Sequence, residues 1–399
     1  MTTFTAPLTT TIASVPLALP EAPASIPPAM PPQLRVLHLI NGEHFSGAER
    51  VQQLLGQQLP CFGVEPHFAC VKPDRFPELC GLPAERVHCL PMRGRWDVQV
   101  VGQLQRLVAR QGIDVLHAHT PRTALLTALL ALRTGLPWVY HVHSPSARDS
   151  TRGLVNRLNY ALEWYALRRC QRVVTVSRSL RREMLRAGVN RQRLTVVPNG
   201  VPALQPIAAD MRPSQSPWRL GLIALMRPRK GVEVALEAMR QLRAQQTDVS
   251  LELIGSFETH DYRDQIMRCI ERWELQSCVH CSGFTRDVPA ALQRLDALLL
   301  PSLFGEGMPM VVLEALAAGV PVVATRVEGT PEVIRHGVEG YLAEAGNATC
   351  LAEHIQQLIA SREHWAGFSA RALQRHRAAF SDQLMAQRVA QTYLQLARR

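Results

Sequence analysis

Short β-rich runs alternate with amphipathic helical stretches from Leu34 almost to the end of the chain, and the alternation stops once and starts again. The first series pairs Leu34–Ile40 with a helix over Ala48–Leu59, and Ile113–Ala118 with Arg122–Arg133. It continues with Trp138–Val142 and Leu154–Cys170, then Val173–Val176 and Arg178–Ala187. The break falls between Pro202 and Pro217, where four prolines interrupt any periodicity. The second series runs Leu220–Leu225, 232–244, Val249–Ile254, 261–273, Val279–Ser282, Ala297–Leu300, 310–318 and Val322–Ala324. Such alternation is satisfied by a parallel sheet with helices on both faces, so the fold class is α/β with two doubly wound domains facing across a cleft. A length of 399 residues agrees, since one hydrophobic core rarely grows that large.

The boundaries follow from composition. Residues 1–33 hold eight prolines and one charge, Glu21, and read as a disordered tail, with neither the basic start nor the apolar core of a signal peptide. The first domain covers 34–203, the linker 204–217 and the second domain 218–378. Residues 379–399 form a terminal helix with no strand after it, expected to pack back on the first domain. No apolar run approaches the ~18–20 residues that span a bilayer.

Forty-four basic against 33 acidic residues give a net charge of +11, which favours anionic partners. Only Lys72 and Lys230 are lysines. Twelve arginines against three acids fall within 148–193, either a solvated helix surface or a face toward an anionic membrane or lipid-phosphate acceptor. Helix-turn-helix, zinc-finger and aromatic-platform patterns are missing, so nucleic acid is not the expected partner. Nine scattered cysteines do not form a disulfide framework, and Cys278-Val-His-Cys281 reads as entry to a strand rather than half a zinc site. With no DxD in the sequence, a carboxylate pair clamping a metal–diphosphate is not expected either.

The densest chemical signal lies between Pro301 and Thr325. A buried strand ends at Pro301-Ser302, a glycine-flanked loop carries Glu306, and a helix begins near Pro309, with Glu314 a turn and a half into it. Proline suits a first helical position because its missing N–H would be unpaired there anyway. The free N–H groups at that helix start, next to Gly307, Met308 and Pro309, make a seat for a diphosphate. Glu314 can accept from sugar hydroxyls. The whole string resembles the family 4 retaining glycosyltransferases of the two-Rossmann (GT-B) fold, and the resemblance runs from about residue 34 to the C-terminus.

What the resemblance implies can be placed residue by residue. Arg227-Pro-Arg-Lys230-Gly231 is similar to the family's phosphate-neutralising loop, and a leaving diphosphate without a metal needs such fixed cations. The family pattern places Gly-Arg a few residues earlier, where this chain has Ala224-Leu225, so Arg227 or Arg229 takes over that role; Arg227 is the expected one. Ser46-Gly47-Ala48-Glu49 resembles the family's Gly-Gly-x-Glu turn, with Gly47 allowing backbone approach to the donor. His117-Ala-His119 and His141-Val-His143 end two strands with paired side chains on one face. His119 matches the histidine the family places by the donor sugar, and His143 a residue nearer the acceptor; metal ligation by these pairs is not expected. Asn199-Gly200 resembles the hinge turn, while Gly255 and Gly283-Phe284-Thr285 are expected to border the nucleotide.

The implied enzyme is a metal-independent, retaining hexosyltransferase with no cofactor beyond its nucleotide-diphosphate-sugar donor. It would glycosylate a glycan or lipid-linked acceptor in cell-surface or exopolysaccharide biosynthesis, in the cytoplasm or peripherally at the inner membrane face. Two other readings stay open: a nucleotide-sugar epimerase, and a catalytically silent nucleotide-sugar-binding partner suggested by the leucine at 225.

Overall fold

The computed structural model describes residues 33–43, 45–94, 97, 99–144, 164–206 and 217–397. The expected tail up to residue 32, most of the linker and the first ten residues of the helix expected over 154–170 lie outside the described residues.

The first sheet contains β1 (Leu34–Ile40), β2 (Val64–Cys70), β3 (Val87–Cys89), β4 (Val115–Ala118), β5 (Trp138–Val142), β6 (Arg172–Thr175) and β7 (Leu194–Val196), in spatial order 3-2-1-4-5-6-7. The second contains β8 (Trp218–Ile223), β9 (Val249–Ile254), β10 (Val279–Gly283), β11 (Ala297–Leu300), β12 (Val322–Thr325) and β13 (Gly340–Ala343), in order 10-9-8-11-12-13. Every named strand pair is parallel. The strand order reverses at β1/β4 and at β8/β11, and the loops leaving these strands therefore meet at one edge of each sheet.

Helices cross between the strands: α1 (Gly47–Gln58), α2 (Arg75–Leu79), α3 (Gln99–Gln111), α4 (Pro121–Thr134) and α5 (Arg178–Arg186) in the first domain. The second has α6 (Val232–Ala244), α7 (His260–Arg272), α8 (Val288–Gln293), α9 (Met310–Ala318), α10 (Thr330–Val333), α11 (Ala348–Ala360) and α12 (Trp365–Ala379). Starts are set by local capping. Thr120 accepts from the Thr123 N–H ahead of α4, and Thr259 from the Tyr262 N–H ahead of α7. Gly135 and Gly319 end α4 and α9 in the left-handed conformation that glycine adopts at no steric cost.

The chain then returns. Val201 N–H donates to Phe380 (2.9 Å), and Asp382 N–H to Val201 (3.1 Å), joining the end of the first domain to the start of α13 (Asp382–Ala397). A Cβ on Gly200 would stand 2.2 Å from the Ser381 carbonyl oxygen, so this crossing needs a residue without one. α13 lies on α1, where Gln58 Nε2 donates to Asp382 (2.9 Å), and it buries Tyr393 completely under the first sheet.

Candidate active site

The β8/β11 switch point builds the second domain's half of the site. Pro228–Lys230 form a single tight turn closed by Gly231, whose left-handed backbone lies so near the end of β11 that a Cβ would come within 2.1 Å of the Pro301 oxygen. Leu303 N–H donates to Arg229 (2.8 Å), locking the 227–231 loop onto the 301–309 loop. Glu306 is buried in the middle. Its Oε1 accepts from Lys230 Nζ (2.5 Å) and Ser302 Oγ (2.7 Å), with Arg229 Nη1 at 3.7 Å. Burial alone would push this carboxyl up, but Lys230, Ser302 and Arg229 together hold it below the usual carboxylate range. Glu328 accepts from the Gly305 and Glu306 N–H groups (3.0 and 3.2 Å) and so fixes the loop from behind.

The arginine beside Glu306 is Arg229. Arg227 turns the other way and pairs with Glu258 (3.4 Å). Successive side chains of an extended segment diverge, and Arg227 is extended while Arg229 lies on the tight turn. Gly255 has φ near +140° and approaches Ala224, where a Cβ would sit 1.8 Å from the carbonyl oxygen. Pro309 is the residue just ahead of α9 rather than its first helical residue, a shift of one position. Glu314 sits on α9, partly buried, and burial pushes its carboxyl up to about 7 against the opposing pull of Arg50 on α1.

Arg50 belongs to the first domain, and the two halves meet at a seam. Gly47 lies against Met310, with room for a Cβ at an ordinary 3.4 Å. Gly307 has no such room: a Cβ would stand 2.0 Å from the His143 carbonyl oxygen. Asn199 Nδ2 donates to the Met308 carbonyl (3.2 Å), and Glu332 of α10 accepts from the Arg178 and Ser179 N–H groups at the start of α5 (both 2.8 Å). The contrast gives a prediction. Gly307→Ala should force the domains apart, lowering the melting temperature through overpacking worth ~1–3 kcal/mol. Gly47→Ala should leave the melting temperature unchanged and lose affinity only for a donor that touches the 46–49 turn; thermal melts with and without ligand separate the two.

The β1/β4 switch point supplies imidazoles. His38, His117, His119 and His141 are buried, and His143 is partly buried at the seam. Register places His38 beside His117 on neighbouring strands. Desolvation lowers all five, His38 to about 3 and His143 to about 4, so the rings are neutral near pH 7. Two triads, His38-His117-His119 and His119-His141-His143, bring ring nitrogens within 4.8 Å of one another. Several of these rings stack, His117 on His141 at 4° and His141 on His143 at 24° between planes.

The geometry thus unites Gly47, His119, His143, Glu306, Gly307, Met308, Pro309, Glu314 and Lys230 around one seam, with Gly255 at the neighbouring strand end and Arg227 turned aside. Sequence reasoning passed over Glu328, Glu332 and Tyr393. Glu328 has a local signal, an acidic residue opening the Glu-Gly-Thr-Pro string ahead of a helix, while its positive φ is visible only in the structure. Tyr393 has none, since its partners lie 276 and 355 residues away.

The family description "Glycosyltransferase Family 4" matches residues 45–203, and "Glycosyl transferases group 1" matches residues 218–361. The chain belongs to the family 4, group 1 glycosyltransferases. Among its relatives, the chain is 27% identical over 254 residues to the Escherichia coli protein WcaL, named for colanic acid biosynthesis, covering 61% of this chain and 60% of that one. It is 36% identical over 149 residues to the amylovoran biosynthesis glycosyltransferase AmsK of Erwinia amylovora, covering 36% of each. The match therefore spans at most three fifths of the length of either. The crystal structure of Anabaena HepE in complex with UDP and glucose superposes with a TM-score of 0.78 at 22% identity, over 91% of this chain and all of that one. The expected GT-B architecture is the one observed.

Proposed function

We propose that this glycosyltransferase moves a sugar, with retention, from a nucleotide-diphosphate donor to a hydroxyl of a glycan or lipid-linked acceptor in cell-surface polysaccharide biosynthesis, without a metal. The observation that carries the reading is the buried Lys230–Glu306–Arg229 cluster at the mouth of α9. Lys230 and Arg229 are fixed cations, and the α9 start offers backbone N–H groups and the positive end of a helix dipole. A leaving diphosphate seated there meets its charge partners already in place as the glycosidic bond breaks. Glu314 is positioned to accept from donor hydroxyls, and His119 and His143 face the sugar and acceptor from the other domain. Retention would then follow a front-face route, in which the acceptor oxygen bonds the anomeric carbon on the side that the leaving phosphate quits and that phosphate takes the acceptor proton.

WcaL and AmsK are named for exopolysaccharide pathways, and HepE was crystallised with UDP; these names support a polysaccharide role and make UDP-sugars the first donors to try. A thermal-shift series with UDP-, GDP- and ADP-sugars identifies the donor, because a ligand stabilises the state it binds. Proton NMR of the product then reads the anomer, and an inverted product would end the retaining proposal. EDTA should leave turnover unchanged, whereas a collapse restored by metal would overturn the cationic-loop account. Leu225, 43% exposed where the family pattern has arginine, favours the silent-partner reading. Slow hydrolysis of the preferred donor would count against it, and conversion of donor without acceptor would indicate an epimerase. Among the described residues no helix is long and apolar enough to cross a membrane. We place the enzyme in the cytoplasm, with its arginine-rich face, where Arg168 covers the exposed Trp164 at 3.9 Å, toward an anionic inner-membrane surface.

A further inference from the structure

We propose that Tyr393, on the last helix, is a positioning residue that acts through His38 to set which ring nitrogen of His119 and His143 carries the proton at the interdomain seam. The residues form one hydrogen-bonded file. His117 Nδ1 meets the Tyr393 hydroxyl (2.5 Å), and that hydroxyl meets His38 Nε2 (3.4 Å, the longest link). His38 Nδ1 meets His119 Nε2 (2.9 Å), and His119 Nδ1 meets His143 Nε2 (3.0 Å). The two ends of the file, His117 Nε2 and His143 Nδ1, are buried and have no hydrogen-bond partner.

A neutral imidazole owns one N–H and one bare nitrogen. Burial keeps these rings neutral, so each contact is satisfied when one partner brings the hydrogen and the other does not. Fixing one ring therefore fixes the next. Only two complete arrangements exist: all four imidazoles carry hydrogen on Nδ1, or all four carry it on Nε2, with the phenol reversing its bond between them. Each holds the same number of protons, one per ring and one on the phenol. A mixed file would leave a contact with two hydrogens or none, or, with the phenol accepting from both His38 and His117, its own buried O–H unpaired, and a buried unpaired group is costly. In the first arrangement the unpartnered His143 Nδ1 is a donor, and in the second an acceptor. Tyr393 is the member that ties His117 to the other three. Its ring is fully buried and edge-on to both His38 and His117, so the phenol is held in place to do this.

The functional half of the inference rests on the seam being the transfer site; the tautomer half does not. Nitrogen-15 labelling of histidine distinguishes protonated from bare ring nitrogens by NMR in the full-length wild-type protein. The expected spectrum has His38, His117, His119 and His143 in one common tautomer. Tyr393→Phe removes the only oxygen in the file, so the resonances of His119 and His143 should shift although neither touches residue 393. Mixed tautomers in the wild type, or unchanged His119 and His143 resonances in a folded Tyr393→Phe, would overturn the proposal. If the variant does not fold, the wild-type spectrum alone decides. Turnover adds the second readout: kcat should fall about tenfold at unchanged donor KM, less than the ~10²–10⁴ for deleting an acid–base group outright. Shifted tautomers with full kcat would uphold the file and remove His119 and His143 from the transfer site.

Discussion

Lys230→Ala lowers kcat by ~10²–10³ at saturating donor and acceptor, with a smaller rise in donor KM, because the worth of a fixed cation grows as the leaving diphosphate gains charge. The same variant unfolds more easily. Lys230 Nζ is bonded to the buried Glu306, and breaking such a pair leaves an uncompensated charge at a cost of up to about 3–5 kcal/mol, moderated here by Ser302 and Arg229. Glu306 titrates below its ordinary range, so the stability it lends is present above the ordinary carboxylate pKa and lost as pH falls through its lowered folded value; without Lys230 that contribution shrinks. The double variant Lys230→Ala/Glu306→Gln separates the two effects. It should recover melting temperature and not turnover. Lys230→Arg should restore part of the rate, since the larger planar group cannot occupy the same point. Lys72→Ala should change neither, because its partner Glu43 is a surface pair worth ~0–1 kcal/mol. Near-wild-type turnover in Lys230→Ala would reduce the loop to a basic turn.

Glu314→Gln should make the protein more stable and a poorer binder of donor. Its carboxyl is raised from an ordinary 4.5 to about 7. The folded state therefore holds a proton that the unfolded state has released, and ionising Glu314 destabilises the fold progressively between pH 4.5 and 7 and fully above. The sign is clear: at pH 8 the glutamine should gain about 2 kcal/mol, after discounting for partial exposure, and at pH 4.5 nothing. Donor binding runs the other way. A carboxylate accepting two hydroxyls is worth ~2–4 kcal/mol, so Glu314→Ala should weaken donor affinity ~30- to 1000-fold. Wild-type affinity should rise as pH approaches 7 and then level. Calorimetric titration at pH 5.5 and 8 checks both; equal affinities, or an unchanged constant in Glu314→Ala, would place this residue outside the site.

The sheets were legible because the chain repeats its strand–helix alternation in strong form. The helix over 310–318 is read from sequence with its observed limits, and the helix over 48–59 is shifted by one residue from 47–58. Not every strand was legible: β3 and β7 have three residues each, too few for a period to declare itself, and β2 and β13 were passed over as well, although the edge strand β10 was read over 279–282. In the site, Glu306 and Lys230 could each be assigned to the donor side before any coordinates because a dense local motif and a rare residue type marked them, but their contact with each other could not. They lie 76 residues apart and meet because β8 and β11 are neighbours. Which of Arg227 and Arg229 lies beside Glu306 needed the backbone, since it depends on which way the 227–231 loop turns. His38 carries a signal that could have been read, a histidine inside a strand whose neighbours end in His-x-His. Tyr393 carries none, because its contacts are made after the chain has crossed both domains.

That crossing has a consequence for how the molecule is made. The helix that seals the underside of the first sheet leaves the ribosome roughly 180 residues after β7, the sheet's final strand. Until it arrives, the first domain has an open apolar face and a row of neutral imidazoles without their phenol. Domains usually complete themselves in order of synthesis. Of the two domains, the one translated earlier is finished after the other, and a chain cut at residue 380 loses a piece of the earlier domain.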